Sequence, residues 1–173
     1  MGRLQVREAT YEYFAEANLP HVGVVHEALP EIVQEQDYET NRLGEAVATA
    51  DGSSAVLVIH IPTDRRQRRA DTGRGAVNDS RIHNIVMEVF FASTGGDAIA
   101  AQKDYDAIID EIFTLIRANA TFNAPNVVWS AGEYESGIHH EQTQPFNDAE
   151  GLATFITGAV RFEAWEWIAG PTS

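Results

Sequence analysis

The sequence predicts an α+β fold in which two helices cover one face of a mostly antiparallel sheet of four to five strands. Its elements are expected in the order helix, strand, strand, strand, helix, strand, strand. Strands and helices therefore do not alternate as they do in a doubly wound parallel sheet. The 173 residues are 44% hydrophobic, which is enough for the core of one domain.

Residues 81–119 carry the clearest periods of the chain. The first part alternates apolar and more polar residues, which predicts a strand over 81–94. Its apolar members are Ile85, Met87, Val89 and Phe91. Beyond Gly95 and Gly96 the apolar residues recur at steps of three and four, which predicts an amphipathic helix. The expected buried residues of this helix are Tyr105, Ile108, Ile109, Ile112 and Ile116.

Capping chemistry predicts where this helix begins and ends. Asp97 can accept hydrogen bonds from the first N–H groups, and its charge suits the positive end of the helix dipole. Arg117 lies in the expected last turn, where a cation is favoured, and Asn119 is expected to end the helix. The apolar side of the helix requires a sheet to pack against.

The remaining elements follow from the same kinds of signal. A helix is expected at 3–18, because Pro20 disfavours helical angles in the residue before it. Strands are expected at 21–28, 55–61, 127–130 and 155–168. Pro62 is expected to end the strand at 55–61, because proline donates no ladder hydrogen bond. Residues 31–51 show no clear period and are expected to form a long connection with a helical turn near 38–43.

Two polar segments are expected to extend from a single domain spanning 1–173. Residues 63–81 form a predicted flexible, arginine-rich hairpin arm, because six of the twelve basic residues lie between Arg65 and Arg81. Almost no large apolar residue lies in this segment to pack against the domain. Residues 133–150 are expected to form a polar loop or a second extended arm.

Composition argues against several classes of function. The formal net charge of −14 disfavours binding to nucleic-acid phosphates or to an anionic membrane. The chain has no cysteine, which excludes disulfides and thiolate chemistry. The first residues lack the apolar run of a signal peptide, and no stretch approaches the ~20 apolar residues that span a bilayer. We therefore expect a soluble protein made in the cytoplasm.

No group of residues has the spacing of a catalytic or metal site. His139 and His140 are adjacent and should diverge in regular structure, so we expect exposed loop histidines. His60 and His83 are candidates to pair across neighbouring strands. The carboxylates of the central helix are expected on its solvated side. We predict no catalytic, cofactor-binding or metal-binding residue.

Two features are candidates for a subunit or partner interface. The first is the arginine cluster of Arg65, Arg66, Arg68, Arg69 and Arg74. It is either a solvated loop or an arm that docks on an acidic partner, on a neighbouring copy or on DNA phosphates. The second is the pair Trp165 and Trp167, which share one side of the last strand. Either a second layer of the same subunit covers them, or they lie in a subunit interface, where aromatic residues are enriched.

Five segments, taken in order, resemble the tail terminator proteins of long-tailed bacteriophages, the group similar to the lambda-like terminator and its relatives in phages of actinobacteria. They cover most of the chain. The segments are the helix from Val6–Ala9 to Leu19–Pro20, the strand Val56–Pro62, the helix segment Tyr105–Asp110, the run Val127–Glu133 and the closing strand Val160–Ile168. The family is recognised by its architecture and has no catalytic signature.

The resemblance implies a non-enzymatic structural protein of the virion tail, assembled in the host cytoplasm. Such proteins form a homo-oligomeric ring, commonly a hexamer, that caps the tail tube and ends its polymerisation. The implied partners are the tail tube protein and the head–tail connector or neck protein, without a cofactor or a membrane. DNA would pass through the channel without specific binding, because a negative subunit repels phosphates.

Two alternatives stay open. The first is another neck, head-completion or minor tail protein of the connector, since these proteins share related folds. The second, from a different class, is a small metal-dependent or acid/base-dependent enzyme. Rings that cap isolated tubes favour the terminator, whereas a stable monomer with a bound metal favours the enzyme.

Overall fold

A computed structural model describes residues 2–27, 53–70, 77–94, 97–124, 129–147, 150 and 153–168. These residues form an α+β fold with two helices and a mostly antiparallel sheet that is curled into a half-barrel. The predicted fold class is confirmed at this level. The predicted connection at 31–51, with its helical turn, and the glycines at 95–96 lie outside the described residues.

Both described helices lie close to their predicted positions. They are α1, Arg3–Glu16, and α2, Ala98–Ala118. Asp97 caps α2, because its side chain accepts hydrogen bonds from the backbone N–H groups of Ile99 (2.9 Å) and Ala100 (3.3 Å). Arg117 lies in the last turn and Asn119 is the C-cap, as predicted.

The sheet has seven described strands, so the prediction of four to five strands is wrong. They are β1 Val22–His26, β2 Ser53–Ala70, β3 Val77–Thr94, β4 Trp129–Gly132, β5 His139–Gln142, β6 Phe146–Asn147 and β7 Ala153–Ile168. The order across the sheet is β1, β2, β3, β7, with β4, β5 and β6 following one another along the far edge of β7. β1 is parallel to β2, and all other described pairs are antiparallel.

The additional strands come from the polar segment 133–150, which was predicted as a loop. β5 and β6 have only four and two residues, and all but one of these are exposed. Their partner is the long strand β7, whose backbone they pair with at residues 154–155 and 158–161. Such short strands carry no periodic apolar signal, so the sequence alone did not reveal them.

One apolar core lies between the helices and one face of the sheet, here named the inner face. The predicted stripe of α2 is buried in this core together with Ala101. The buried residues of α1 are Val6, Ala9, Thr10 and Phe14. The strands contribute alternate residues, which are Ala55, Leu57, Ile59, Ile85, Met87, Val89, Phe91, Ile156, Val160, Phe162 and Ala164. The opposite face is named the outer face.

β2 does not end at Pro62, so that expectation is wrong. The pairing of β2 with β3 shifts between His60 and Thr63, which places Ile61 and Pro62 in a bulge. A bulge residue is left out of the ladder, so the missing N–H of proline costs little there. The Arg3 side chain of α1 donates a hydrogen bond to the Ile61 carbonyl at this point. The strand then continues to Ala70.

Candidate interaction site on the sheet arm

The two longest strands continue beyond the apolar core. The core reaches Ile61 on β2 and begins at Ile85 on β3, yet the two strands stay paired from Thr63 opposite Asn84 to Ala70 opposite Val77. We call this part, residues 63–70 and 77–84, the arm. The predicted hairpin arm is therefore a regular two-stranded ladder in its described part. β7 extends beside it as far as Ile168, opposite Asp79.

Strand alternation separates the clustered arginines. Arg65 lies opposite Ile82 and Arg66 lies opposite Arg81, so the two side chains belong to opposite faces of the arm. Both side chains are exposed. The backbones of Arg68 and Arg69 belong to β2, opposite Asp79 and Asn78, but their side chains lie outside the described structure. Arg74 lies outside it altogether.

On the outer face, Arg65 belongs to a chain of contacts with β7. Its guanidinium lies 3.4 Å from the carboxylate of Glu163, which is only 4% exposed. Glu163 also accepts a hydrogen bond from the indole Nε1 of Trp165 at 2.9 Å. The Trp165 ring stacks on Tyr134, with centroids 5.0 Å apart. Tyr134 of the same subunit therefore covers part of Trp165, which agrees with one of the two predicted alternatives for this residue.

Trp167 is placed differently from Trp165. It is the next outward residue of β7, opposite Ser80 of the arm, and it is 42% exposed. Tyr134 stacks on Trp165, and the structure shows no ring contact for Trp167 among the described residues. Trp167 and Arg65 therefore present an indole and a guanidinium on one face of the arm, which is a suitable surface for binding another protein.

The inner face of the arm is polar and paired. Asp64 and Arg81 form an ion pair at 2.5 Å. The hydrogen bond from Arg81 lowers the pKa of Asp64 below its ordinary value, although partial burial acts in the opposite direction. Arg3 and His83 lower the pKa of Asp64 further through their charges. The inner face of the arm therefore depends on Asp64 carrying its negative charge.

His83 and Glu166 form the buried contact of the inner face. His83 Nε2 lies 3.1 Å from Glu166 Oε2, and the two side chains are 0% and 5% exposed. The suggested pairing of His83 with His60 is wrong, because His60 lies opposite Val86 and His83 lies opposite Asp64. Sequence reasoning missed the Glu166 contact. The available signal was the alternation of β7, which places Glu166 on the inward face beside apolar residues.

The adjacent histidines of β5 diverge, as the sequence predicts. His139 is exposed on the outer face, whereas His140 Nε2 lies 2.9 Å from the hydroxyl of Tyr105 on α2. His140 is thus partly buried and is not an exposed loop histidine. Burial raises the pKa of Tyr105 and lowers the pKa of His140, so both groups are held neutral at neutral pH. The pair attaches β5 to the helix.

Two searches for particular features cover the described part of the chain. Across the residues that the structure describes, no three side chains of His, Asp or Glu are grouped so that they could hold a metal ion. Neither described helix is long and apolar enough to cross a membrane.

No protein-family model matches the sequence, and no curated protein matches it.

Proposed function

We propose that this protein is a structural component of a bacteriophage tail, the terminator, which assembles as a ring of identical subunits on the end of the tail tube. The ring would stop polymerisation of the tube and provide the surface for head–tail joining. One observation carries the proposal. The strands β2 and β3 continue past the main apolar cluster as an arm that displays Arg65 and Arg66, and exposed Trp167 of β7 lies beside this arm.

The arm extends past the main apolar cluster of its own subunit, although Ile82 and His83 at its base are buried. The described core closes at Ile61 and Ile85, and arm residues Asp64 and Arg81 are paired with each other. Exposed cations on an otherwise acidic chain of net charge −14 favour contact with a neighbouring copy. An arm on one side that contacts a different surface of the next copy gives a heterologous contact, which closes into a ring when the rotation permits.

The charge of the chain is also suited to a channel for DNA. A ring of six such subunits would carry a large negative charge, which repels phosphates and lets DNA move without sticking. The proposed role involves no bond-making step. The subunit would act through its shape and its contacts with its own copies, with the tube protein and with the connector protein.

Native mass spectrometry and negative-stain electron microscopy of the purified protein test the proposal. We expect a closed homo-oligomer, with six copies as the first expectation, that binds to one end of isolated tail tubes. Rings that bind a connector but leave tube ends bare would instead favour another neck protein. A monomer at all accessible concentrations, with no effect on tube length, would contradict the terminator function.

The contribution of the arm is tested by replacing Arg65, Arg66, Arg68 and Arg69 with serine. We expect a folded subunit whose assembly is weakened by at least tenfold in concentration. The arm pair Arg65→Ser with Arg66→Ser has a matched control in Lys103→Ser with Arg117→Ser, which removes two exposed cations from α2 and should leave assembly unchanged. An unchanged ring population in the arm variant would refute this role.

A further inference from the structure

The short strand β5 covers part of the edge of β7 and is held there by few contacts. Three of its four residues are exposed, and it pairs with residues 158–161 of β7. Its last residue, Gln142, exchanges two amide hydrogen bonds with Gln102 of α2, at 3.2 and 3.0 Å. The one residue of β5 that is not exposed is His140, which contacts Tyr105 of α2. The side chains that attach β5 to the helix are therefore one amide and one imidazole.

The Tyr105 hydroxyl has one hydrogen-bond partner in the described part of the chain. Tyr105 is 0% exposed, and its hydroxyl lies 2.9 Å from His140 Nε2. A buried O–H group needs an acceptor, so the hydroxyl donates and Nε2 accepts. Nε2 can accept only while it carries no proton. The contact therefore selects a neutral His140 with its proton on Nδ1.

Protonation of His140 would remove this acceptor. Nε2 would become a donor, and the buried hydroxyl of Tyr105 would keep a proton for which the described residues offer no other acceptor. Tyr105 cannot release this proton near neutral pH, because burial raises its pKa. A Cβ at Gly158 would lie 2.0 Å from the hydroxyl and 3.2 Å from Nε2, so both groups are packed closely against β7. The exposed strand β5 is the part that can move away from this site.

Few charged or titratable groups surround His140 in the described structure. Burial lowers the pKa of His140, whereas the charge of Asp106, which follows Tyr105 on α2, raises it. The neighbours of His140 on β5, His139 and Glu141, lie on the opposite face of the strand. The partner of His140 on β7 is uncharged, and so is the glycine beneath its ring. The effect of burial is the larger one, so the attached strand favours neutral His140 to a pH below 6.5.

We propose that β5 detaches from the edge of β7 in mild acid, because protonated His140 can no longer accept the hydrogen bond of Tyr105. In the detached strand the imidazolium is solvated by water, so protonation favours detachment. Detachment leaves the backbone groups of residues 158–161 without ladder partners on this side, and such an edge can pair with another strand. The change needs no second subunit, so it does not depend on the proposed ring.

Hydrogen exchange of the dilute subunit, corrected for the intrinsic exchange rate at each pH, measures the attachment of β5. In the detached strand His140 has its ordinary pKa of 6.5, and in the attached strand its pKa is lower. Protection of residues 139–142 should therefore fall as the pH falls through 6.5, and it should become constant below the lower pKa. We expect a loss of about fivefold or more between pH 7.5 and pH 5. Residues 85–91 of β3 should stay protected over this range.

Three variants separate the histidine from the other contacts of β5. His140→Gln has an amide that does not titrate, so the protection of β5 should no longer depend on pH in this range. The matched control, His139→Gln, removes the adjacent exposed histidine and should keep the wild-type pH dependence. Gln102→Ala removes the amide pair with β5 and should lower protection by the same factor at every pH.

Constant protection of β5 from pH 7.5 to pH 5 in the wild type would overturn the proposal. A pH dependence that persists in His140→Gln would also overturn it. Parallel loss of protection in β3 would show that the whole sheet opens and that β5 does not detach separately. A wild type that shows the pH dependence and never forms rings would refute the terminator function and leave the detachment of β5 established.

Discussion

His83 and Glu166 connect the two central strands of the sheet, β3 and β7, on the inner face, where His83 Nε2 lies 3.1 Å from Glu166 Oε2. The contact is diagonal, because His83 lies opposite Ala164 and Glu166 lies opposite Arg81. The apolar core ends at this level on β7, with Ala164 as its last member there. A buried polar contact thus takes over from apolar packing where the arm begins.

Removing Glu166 should destabilise the subunit, because His83 would then be buried without its partner. We expect Glu166→Ala to lower the free energy of unfolding by about 1–3 kcal/mol. Glu166→Gln should cost less, since an amide can still bond the imidazole. The control is Glu133→Ala, which breaks an exposed pair with Arg117 and should cost at most about 1 kcal/mol. Equal effects of Glu166→Ala and Glu133→Ala in urea denaturation would contradict the structural role.

Gly158 of β7 is expected to be intolerant of any side chain. A Cβ at this position would lie 2.0 Å from the Tyr105 hydroxyl and 2.7 Å from the Glu141 carbonyl oxygen. Gly158→Ala should therefore destabilise the subunit by about 1–3 kcal/mol and loosen β5 from the sheet. Hydrogen exchange of the β5 amides and urea denaturation measure the two effects.

Adding Tyr105→Phe to Gly158→Ala should recover part of the loss, because it removes one of the two obstructing atoms. The recovery should be incomplete, since the Glu141 carbonyl belongs to the backbone and remains. Strict additivity of the two substitutions would show that the hydroxyl of Tyr105 does not limit the space at Gly158.

The ion pair of Asp64 should make stability depend on pH. The hydrogen bond from Arg81 lowers the pKa of Asp64 in the folded state below its ordinary value of 3.8. The ion pair therefore contributes its full stabilisation above pH 3.8. This stabilisation is lost as the pH falls through the lower pKa that Asp64 has in the folded state. We expect the stability difference between the wild type and Asp64→Asn to shrink between pH 5 and pH 2. A difference that stays constant over this range would contradict the argument.

The parts of the fold that have strong periodicity were predictable from the sequence. The stripe of α2, its cap at Asp97 and the alternation of β7 all correspond to local rules of spacing and capping. The end of β2 was not predictable in this way. Pro62 cannot occupy an ordinary position in the ladder, because proline has no backbone N–H to donate. Only the pairing with β3 shows that a bulge accommodates it.

The candidate interface was predictable as a set of residues but not as a geometry. The sequence marks Arg65 and Trp167 by composition and alternation, and the structure places Arg65 on the arm and Trp167 beside it on β7. No local sequence signal predicts that Glu88 and Glu141 share a row of the sheet, because they are distant in the chain and each lies opposite Ala159 only through strand register. Register between distant strands depends on the whole sheet.

The effects of a substitution on folding and on assembly can be separated most sharply at Trp165 and Trp167. The same change to alanine can be made at both positions, which lie two residues apart on β7. Trp165 stacks on Tyr134 and donates to Glu163, so Trp165→Ala should lower the free energy of unfolding by about 1–3 kcal/mol. Trp167 is 42% exposed, so Trp167→Ala should change subunit stability by only about 0.5 kcal/mol.

For assembly, the substitution with the larger effect should be Trp167→Ala. If Trp167 is an anchor of the subunit contact, its loss should cost more than about 1 kcal/mol of association free energy, or roughly fivefold in affinity. Urea denaturation of dilute subunits and sedimentation of concentrated ones measure the two quantities separately. Should Trp167→Ala destabilise the subunit as much as Trp165→Ala and leave the ring unchanged, Trp167 would be part of the fold and not of the interface.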